Sequence, residues 1–563
     1  MVTARSLGPH ARSPSKGLLV TSPSAPDRPG RRRRILPALL CSLALVATAA
    51  AAAGTATAAS PGPARASAGE PGPYDRIVPA PAATETHDGP YTIDAATAIR
   101  VPARSGEARR VGEYLAGVLR PSTGYELPVT ARPGRGIVLR LTEGEHRLGS
   151  EGYRLDVTAG GVSIRAPKPA GLFHGVQTLR QLLPAAVERN SPQPGPWTVA
   201  GGSVTDSPRY AYRGAMLDVS RHFFTVEQVK RYIDQLALYK INKLHLHLSD
   251  DQGWRIAIDS WPRLATYGGS TQVGGGPGGH YTKQDYREIV RYAADRFLEV
   301  VPEIDMPGHT NAALASYAQL NCDGVAPPLY TGTAVGFSSL CVPKEITYEF
   351  VDDVVRELAA LTPGRYLHIG GDEAHATGHE DYVAFMDRAQ AVVQKYGKTV
   401  VGWHQLTGAR PAEGAVAQYW GTSGTEQAVV DAAKAGTRLV LSPANHAYLD
   451  MKYDKNTPLG LSWAGYVEVQ KSYDWDPGTF VQGAPSSAVL GVEAPLWSET
   501  ISTSDHIEYL AFPRVAGIAE LGWSPASALD WDAYRLRLAA QGPRWSALGI
   551  DYYRSPQVPW PAG

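Results

Sequence analysis

Apolar runs and amphipathic helical patterns alternate along the chain from residue 206 onward. The eight short apolar runs are typical of strands buried on both faces of a parallel sheet. Two of the helical patterns carry start signals, a Thr225-x-x-Gln228 capping box and an N-terminal Thr282. The predicted strands lie at 214–220, 243–250, 298–305, 365–372, 398–404, 415–420, 438–444 and 488–497.

This order of elements predicts an α/β fold, a (β/α)8 TIM barrel over residues 206–563. A doubly wound open sheet is the competing architecture. Such a sheet usually carries a glycine-rich phosphate loop after its first strand, and no such loop follows residues 214–220. The barrel is therefore favoured.

Residues 76–205 predict a separate small α+β domain in front of the barrel. Its β-type runs lie at 91–101 and 136–144, residues 153–166 predict a hairpin, and helical patterns cover 108–120 and 171–185. The segment contains no cluster of His, Cys, Asp or Glu that would carry chemistry. We therefore expect the function to lie in the barrel.

The first 75 residues predict export rather than a folded unit. Four arginines at 31–34, an Ala-rich apolar run at 35–53 and the Ala56-Thr57-Ala58 site are typical of a signal cleaved near residue 59, and 60–75 is a Pro/Gly/Ala linker. A membrane anchor is the alternative, but the apolar run is barely long enough to span a bilayer. We expect a secreted, extracellular protein that no membrane holds after cleavage. In that oxidising compartment, Cys322 and Cys341 predict one disulfide.

The overall charge and the aromatic content narrow the partners. The chain has 54 basic and 54 acidic side chains, and this zero net charge argues against nucleic-acid binding. Its 12 Trp and 28 Tyr supply amphipathic rings that line pockets for flat, partly polar ligands.

Polar and aromatic residues follow each of the eight predicted strands. In a TIM barrel the active site is built at the carboxyl ends of the strands, so these residues are the candidates for function. They are Asp218, Arg221, His247, Asp250, Asp251, Glu303, Asp305, His309, Asp372, Glu373, Trp403, His404, Gln418, Trp420, Tyr448, Asp450, Trp497 and Glu499.

One candidate chemistry is metal-dependent hydrolysis through His245 and His247, which lie on one face of a strand. That chemistry needs further ligands on later strands. His309 and His375 are available, but the surrounding residues are carboxylates and tryptophans rather than a ligand set. We therefore expect two packed, hydrogen-bonded histidines, with no metal and no cofactor.

The other candidate chemistry is glycoside hydrolysis, for which the adjacent acids Asp372 and Glu373 are the central residues. Neighbouring side chains in a strand point to opposite faces. In the usual retaining mechanism a second carboxylate attacks from across the bond, about 5 Å from the acid, and sequence neighbours rarely face each other in that way. Glu373 is thus a candidate proton donor, whereas Asp372 must do something other than attack.

The segment HIGGDE at 368–373 resembles the acidic signature of glycoside hydrolase family 20, the β-N-acetylhexosaminidases, and the pattern is most similar to that of secreted actinobacterial members. Other blocks resemble the family in the same order, and the resemblance covers residues 80–525, including the small domain. The blocks are RGAMLDVSRHF, NKLHLHLSDDQGWR, VPEIDMPGH, GWHQL, YLD and EAPLWSE.

The resemblance implies a role for both acids in one pocket. Glu373 would protonate the glycosidic oxygen, and the nucleophile would be the 2-acetamido carbonyl oxygen of the substrate itself. Asp372 would hold the acetamido N–H, and Tyr448 would orient the carbonyl. His309 and Asp250 would form a pair linked to Glu373. Gly370 and Gly371 would let the strand end bend so that both acids converge.

The resemblance also implies a set of sugar-binding residues. Arg221 would bind the 3- and 4-hydroxyls, Glu499 the 4-hydroxyl, and Asp450 the region of the 4- and 6-hydroxyls. The walls around the acetamido group and the ring would be tryptophans, with one further tryptophan under the next sugar. These are Trp403, Trp420 and Trp497 for the walls and Trp463 for the next sugar.

We therefore predict an exo-acting β-N-acetylhexosaminidase that takes β-linked GlcNAc or GalNAc ends, chitooligosaccharides among them. Two alternatives stay open. A carbohydrate-binding protein on a degenerate barrel would lack Asp372, Glu373 or Tyr448, and all three are present. A related enzyme that removes disaccharides would differ in the depth of its loops, which the sequence does not reveal.

Overall fold

The computed structural model of the protein describes residues 72–561. The predicted signal and most of the predicted linker lie outside the described residues. Within residues 72–561, no helix is both long enough and apolar enough to cross a membrane.

The first part of this region is an α+β domain. Seven strands form one sheet in the order β1-β9-β6-β7-β5-β3-β4, β2 pairs with β8, and two helices that contact each other pack on the sheet. The elements are β1 (Ala83–Thr86), β2 (Tyr91–Ile93), β3 (Ile99–Arg100), α1 (Gly106–Thr123), β4 (Val129–Thr130), β5 (Gly136–Leu141), β6 (Tyr153–Thr158), β7 (Gly161–Ala166), α2 (Pro169–Leu182), β8 (Trp197–Val199) and β9 (Gly202–Asp206).

Eight parallel strands then close into a barrel in the order β10-β11-β14-β15-β16-β17-β18-β19, with β19 pairing β10. The elements are β10 (Tyr212–Asp218), α3 (Val226–Leu238), β11 (Lys243–His247), β12 (Ser249–Asp250), β13 (Gly253–Trp254), α4 (Lys283–Ala294), β14 (Glu299–Glu303), α5 (Asn311–Ser316), α6 (Glu345–Leu361), β15 (Tyr366–His368), α7 (His379–Lys395), β16 (Thr399–Trp403), β17 (Val416–Tyr419), α8 (Gln427–Lys434), β18 (Arg438–Leu441), α9 (Val469–Tyr473), β19 (Val489–Leu496), α10 (Ser504–Ala511), α11 (Arg514–Trp523) and α12 (Trp531–Leu548).

The TIM barrel predicted from the sequence is confirmed. Seven of the eight predicted strands contain one barrel strand, and the remaining one, 214–220, overlaps β10, which begins two residues earlier at Tyr212. The start signals are also present: Thr225 and Gln228 form a reciprocal capping box at α3, and Thr282 caps α4. One prediction needs correction. The run 91–101 is two strands, β2 and β3, because the intervening turn is fixed by Asp94, whose carboxylate accepts hydrogen bonds from Ala96 N–H and the Thr97 hydroxyl.

The small domain packs on the barrel through a buried ion pair. Lys240 Nζ lies 3.0 Å from Asp206 Oδ2, and both side chains are fully buried. Asp206 Oδ2 also accepts hydrogen bonds from the Tyr153 hydroxyl and from Trp523 Nε1, each at 2.9 Å. The two domains thus share one polar cluster inside their interface.

A disulfide joins Cys322 to Cys341, as the sequence predicted. The loop that it closes is held against the barrel by Ser338, whose hydroxyl donates to Asp251 Oδ1 at 2.6 Å, and by Gln252 Nε2, which donates to the Gly332 carbonyl at 2.9 Å. This loop lies between β14 and β15 in sequence, at the end of the barrel where the strand carboxyl ends meet.

Candidate active site

A pocket of about 350 Å³ opens at the carboxyl ends of the barrel strands. Ten of the twelve predicted catalytic and sugar-binding residues line it; Asp250 and Trp403 lie behind its wall. The disulfide-closed loop contributes Thr333 and Val335, and Leu461 completes the wall. No periodic pattern in the sequence marks these three residues. The ten predicted residues are Arg221, His309, Asp372, Glu373, Trp420, Tyr448, Asp450, Trp463, Trp497 and Glu499.

The turn after β15 brings the two adjacent acids into this one pocket. Gly370 and Gly371 have φ values of +64° and +99°, and Glu373 itself has φ +43°. Such left-handed conformations break the strand alternation that would separate Asp372 from Glu373. Gly371 N–H donates to Asp305 Oδ1 at 3.0 Å, which fixes the turn against β14 and the segment that follows it.

Both acids face one histidine. His309 Nε2 lies 3.5 Å from Glu373 Oε2 and 3.7 Å from Asp372 Oδ2. One nitrogen of the histidine and one oxygen of each carboxylate all lie within 4.8 Å of one another. The carboxylates therefore stand side by side, rather than on opposite sides of a bond. Glu373 is the more accessible acid, with 30% of its side chain exposed against 11% for Asp372.

Electrostatics favour a cationic His309. Burial opposes the charged imidazole, but the carboxylates of Asp250, Asp372 and Asp305 outweigh burial and raise the pKa of His309 well above its usual range. His309 Nδ1 lies 3.1 Å from Asp250 Oδ1. Burial also raises the pKa of Asp372, and the nearby charge of Glu373 adds to that effect, while His309 opposes it.

Several polar atoms of the residues that line the pocket have no hydrogen-bond partner within the described part of the chain. Arg221 Nε, Asp372 Oδ1, both carboxylate oxygens of Asp450 and Glu499 Oε2 are buried and lack a hydrogen bond to any described residue. Leaving a buried polar group unpaired costs about 1–3 kcal/mol per group. Burial raises the pKa of Asp450 well above its usual range, and the charge of Glu499 raises it further. A ligand rich in hydroxyl and amide groups would satisfy these atoms.

Aromatic rings form the rest of the wall. Tyr448 and Trp497 have ring centroids 6.2 Å apart, and the Arg221 guanidinium lies 4.8 Å from the Trp497 ring centroid. Trp463 is 55% exposed at the mouth and meets Trp420 edge to face at 5.9 Å. Aromatic side chains and unpaired polar atoms in one pocket suit a pyranose ring, which has apolar faces and polar hydroxyl groups.

Trp403 forms a layer beneath this wall. It is fully buried, its ring centroid lies 5.7 Å from that of Trp497, and its Nε1 donates to Glu303 Oε1 at 2.9 Å. The structure therefore places Trp403 as a support for Trp497 instead of on the pocket surface.

The structure places His245 and His247 inside the barrel, each between two carboxylates. His245 bonds Glu493 and Glu303 at 2.8 and 2.9 Å, and His247 bonds Glu303 and Asp250 at 2.5 and 2.7 Å. Both ring nitrogens of each histidine are thus used in hydrogen bonds. Sequence reasoning gave Glu493 no role and did not connect Glu303 to the histidines.

Comparisons with known proteins agree on one family. Residues 210–382 and 375–526 match glycosyl hydrolase family 20, catalytic domain, and residues 74–207 match domain 2 of the same family. The β-N-acetylhexosaminidase of Cellulomonas fimi is 43% identical over 488 residues, which cover 86% of this chain and 97% of that protein.

Two solved structures are similar over nearly their whole length. The GH20 β-N-acetylhexosaminidase of Streptomyces coelicolor A3(2) is 70% identical with a TM-score of 0.86, covering 88% of this chain and 100% of its own. A mutant β-hexosaminidase of Streptomyces plicatus in complex with its product GlcNAc is 70% identical, also at 0.86, covering 87% and 99%. The chain belongs to glycosyl hydrolase family 20, and its activity is that of a β-N-acetylhexosaminidase.

Proposed function

We propose that this enzyme is exo-acting and retaining, and that it releases single terminal β-linked N-acetylhexosamines with the acetamido group of the substrate as nucleophile. The observation that carries the proposal is the convergence of Asp372 and Glu373 on one side of the pocket, both next to His309. A two-carboxylate retaining site needs an acid and a nucleophile about 5 Å apart on opposite sides of the bond. Here the second acid stands beside the first, so the attacking atom must come from elsewhere.

In the first step Glu373 gives its proton to the glycosidic oxygen as the bond from that oxygen to C1 breaks. The acetamido carbonyl oxygen forms a bond to C1 from the opposite face, and a bicyclic oxazolinium results. Asp372, which is buried and adjacent, accepts a hydrogen bond from the acetamido N–H and stabilises the positive charge that develops there. Burial and the nearby charge of Asp372 raise the pKa of Tyr448 well above its usual range, so Tyr448 stays protonated and its hydroxyl donates a hydrogen bond to the carbonyl oxygen.

In the second step a water takes the place of the leaving group. Glu373, now a carboxylate, removes a proton from this water, which attacks C1 and displaces the acetamido oxygen. Two inversions restore the β configuration, so the product is the β anomer. Glu373 can serve both steps because 30% of its side chain is exposed, which leaves it accessible first to the glycosidic oxygen and then to water.

Pocket size and the unpartnered atoms support single-residue release. A volume of about 350 Å³ lies near the lower limit of small-ligand sites, about 300–1,000 Å³. The buried oxygens of Asp450 and Glu499, which the family resemblance assigns to the 4- and 6-hydroxyls, close the end that a non-reducing terminus would occupy. We further propose that the enzyme is exported by its N-terminal signal and acts on chitooligosaccharides or glycoconjugates outside the cell.

The experiment compares two aryl β-glycosides that differ only at carbon 2, acetamido against hydroxyl. We expect turnover of the acetamido compound alone, with β-GlcNAc as the first product detected by NMR. Equal turnover of both, or an α product, would overturn the substrate-assisted mechanism. Glu373→Gln is the companion variant: it should abolish turnover of alkyl glycosides, which need protonation, and retain more activity on aryl glycosides with good leaving groups.

A further inference from the structure

A chain of alternating carboxylates and imidazoles runs through the barrel interior to the active site. Its members, in order of contact, are Glu493 on β19, His245 on β11, Glu303 on β14, His247 on β11 and Asp250 on β12. The four contacts are 2.8, 2.9, 2.5 and 2.7 Å in that order. Each of these five side chains is at most 1% exposed.

The last contacts lead to the two acids. Asp250 Oδ1 lies 3.1 Å from His309 Nδ1, and His309 Nε2 lies 3.5 Å from Glu373 and 3.7 Å from Asp372. The family resemblance links His309 and Asp250 to Glu373 but assigns nothing to the groups behind them.

The surroundings of the two interior histidines favour their charged form. A neutral imidazole has one N–H donor, and an ionised carboxylate only accepts hydrogen bonds. His245 and His247 each lie between two carboxylates, so both nitrogens of each ring face an acceptor, and this arrangement favours the imidazolium. Burial opposes these cations, but Glu493 and Glu303 raise the pKa of His245 to about 9. The attraction between these cations and the neighbouring carboxylates offsets part of the free energy that is needed to remove the charges from water.

Other charged and polar groups face the chain, and any displacement of charge acts on them as well. Asp250 also binds Arg221 Nη1 at 2.8 Å, and this guanidinium lies 3.3 Å from His247 Nε2. The remaining neighbours are Asp305 beside His309, His368 and Trp403 beside Glu303, and Tyr212 and Gln418 beside Glu493.

We propose that Glu303 and His247 are positioning residues of the reaction: the buried chain holds His309 as a cation between Asp250 and the two acids, and thereby sets the pH range in which Asp372 is ionised while Glu373 carries a proton. This inference rests on the proposed roles of Asp372 and Glu373. Neither Glu303 nor His247 touches the substrate pocket, so their influence passes through charge and through the orientation of Asp250 and His309.

The proposal predicts opposite effects for two changes that each remove one charge. Glu303→Gln removes a negative charge, which lowers the affinity for protons of every titrating group nearby, and moves both limbs of the kcat/KM profile to lower pH. His247→Gln removes a positive charge and moves both limbs to higher pH. Each displacement should be about half a pH unit or more, since neighbouring charges shift pKa values by about 1–3 units at contact distance.

The matched control is His174→Gln. His174 is also a fully buried histidine, but it lies on α2 in the small domain and makes no hydrogen bond to a described residue through either ring nitrogen. A lower melting temperature with an unchanged pH profile is expected for this control. Glu493 and His245 form the end of the chain that is far from His309. Glu493→Gln should move both limbs to lower pH and His245→Gln should move them to higher pH, each by less than the corresponding change at Glu303 or His247.

The assay measures kcat/KM for the aryl N-acetyl glycoside from pH 3 to 10 for all five full-chain variants. Displacements in opposite directions that shrink with distance from His309 support the proposal. Unchanged limbs, or the same direction for Glu and His variants, overturn it. If Glu303→Gln or His247→Gln fails to fold, the far-end pair decides by the same signs. Failure of the proposed function would appear separately, as turnover of the 2-hydroxyl substrate by the unaltered enzyme.

Discussion

Replacing Gly370 by alanine tests how the backbone brings the two acids together. Gly370 has φ +64°, a left-handed conformation that costs an L-residue about 1–2 kcal/mol. A Cβ there would lie 1.7 Å from Asp305 Oδ1, where real Cβ atoms keep at least 3.0 Å, so one of the two must move by more than 1 Å. That movement breaks the bond from Gly371 N–H to Asp305, which adds about 1–3 kcal/mol. We expect a loss of roughly 2–5 kcal/mol in the free energy of unfolding.

Activity should fall further than stability alone explains. A displacement of about 1 Å at a reacting group costs on the order of 100-fold in rate. Because Asp372 and Glu373 follow the turn directly, kcat/KM for the aryl N-acetyl glycoside should fall by about that factor in protein that is still fully folded. Urea unfolding followed by tryptophan fluorescence, together with steady-state kinetics below the transition, separates the two effects.

Alanine substitutions at two other glycines separate the cost of backbone strain from the cost of the displaced Asp305 contact. Gly397 has φ +72° and open space among the described residues where a Cβ would lie, so Gly397→Ala should cost about 1–2 kcal/mol from backbone strain alone. Gly378 precedes α7 with φ −60° and also has open space around it in the described region, so Gly378→Ala should stay within about 0.5 kcal/mol. Both should keep full kcat/KM. If Gly370→Ala is as stable and active as Gly378→Ala, then the turn does not position the acids.

Four further outcomes follow from the structure. Cys341→Ser opens the disulfide loop and should lower the free energy of unfolding by about 3 kcal/mol in urea; an unchanged midpoint in non-reducing buffer would contradict this. Thr225→Ala should cost about 1 kcal/mol, with Thr225→Ser as the neutral control. The pKa of His245 is about 9 in the folded protein against 6.5 in the unfolded chain, so the stability that this histidine contributes is fully present below pH 6.5 and is lost as pH rises through 9. A free energy of unfolding that stays constant between pH 6.5 and 9 would exclude this contribution. Asp372→Asn should abolish the acid limb of kcat/KM, because the raised pKa of Asp372 makes its ionisation the event seen there; a limb that survives assigns it to another group.

The barrel is readable from the sequence because strands buried on both faces are continuous apolar runs. Each strand of such a sheet is marked by its own residues, and the helix starts are marked by Thr225 and Thr282. The rule that barrels act at strand ends then selects the pocket residues. By contrast, β2 and β3 looked like one run because their separating turn is only a few residues long and contains alanines.

The interior contacts are not readable in the same way. Glu303 meets His245 and His247 only because β14 and β11 pair in a register that sets His247 beside Glu303, and register depends on the closed barrel. Glu493 approaches His245 from β19, nearly 250 residues away in sequence. The pocket residues Thr333 and Val335 lie in a loop without periodicity, so the cross-link and its anchoring hydrogen bonds decide their place.

The ion pair between Lys240 and Asp206 affects how the two domains unfold and whether one of them can be exchanged. Removing one member of a buried pair costs about 3–5 kcal/mol, because the other charge is left without a partner inside the protein. A barrel separated from its small domain would lose the Asp206 carboxylate that faces the Lys240 ammonium beside the Trp523 ring. The two domains should therefore melt in a single transition. A chimaera that takes its small domain from a relative should be destabilised by about 3–5 kcal/mol if that domain has no carboxylate in the place of Asp206.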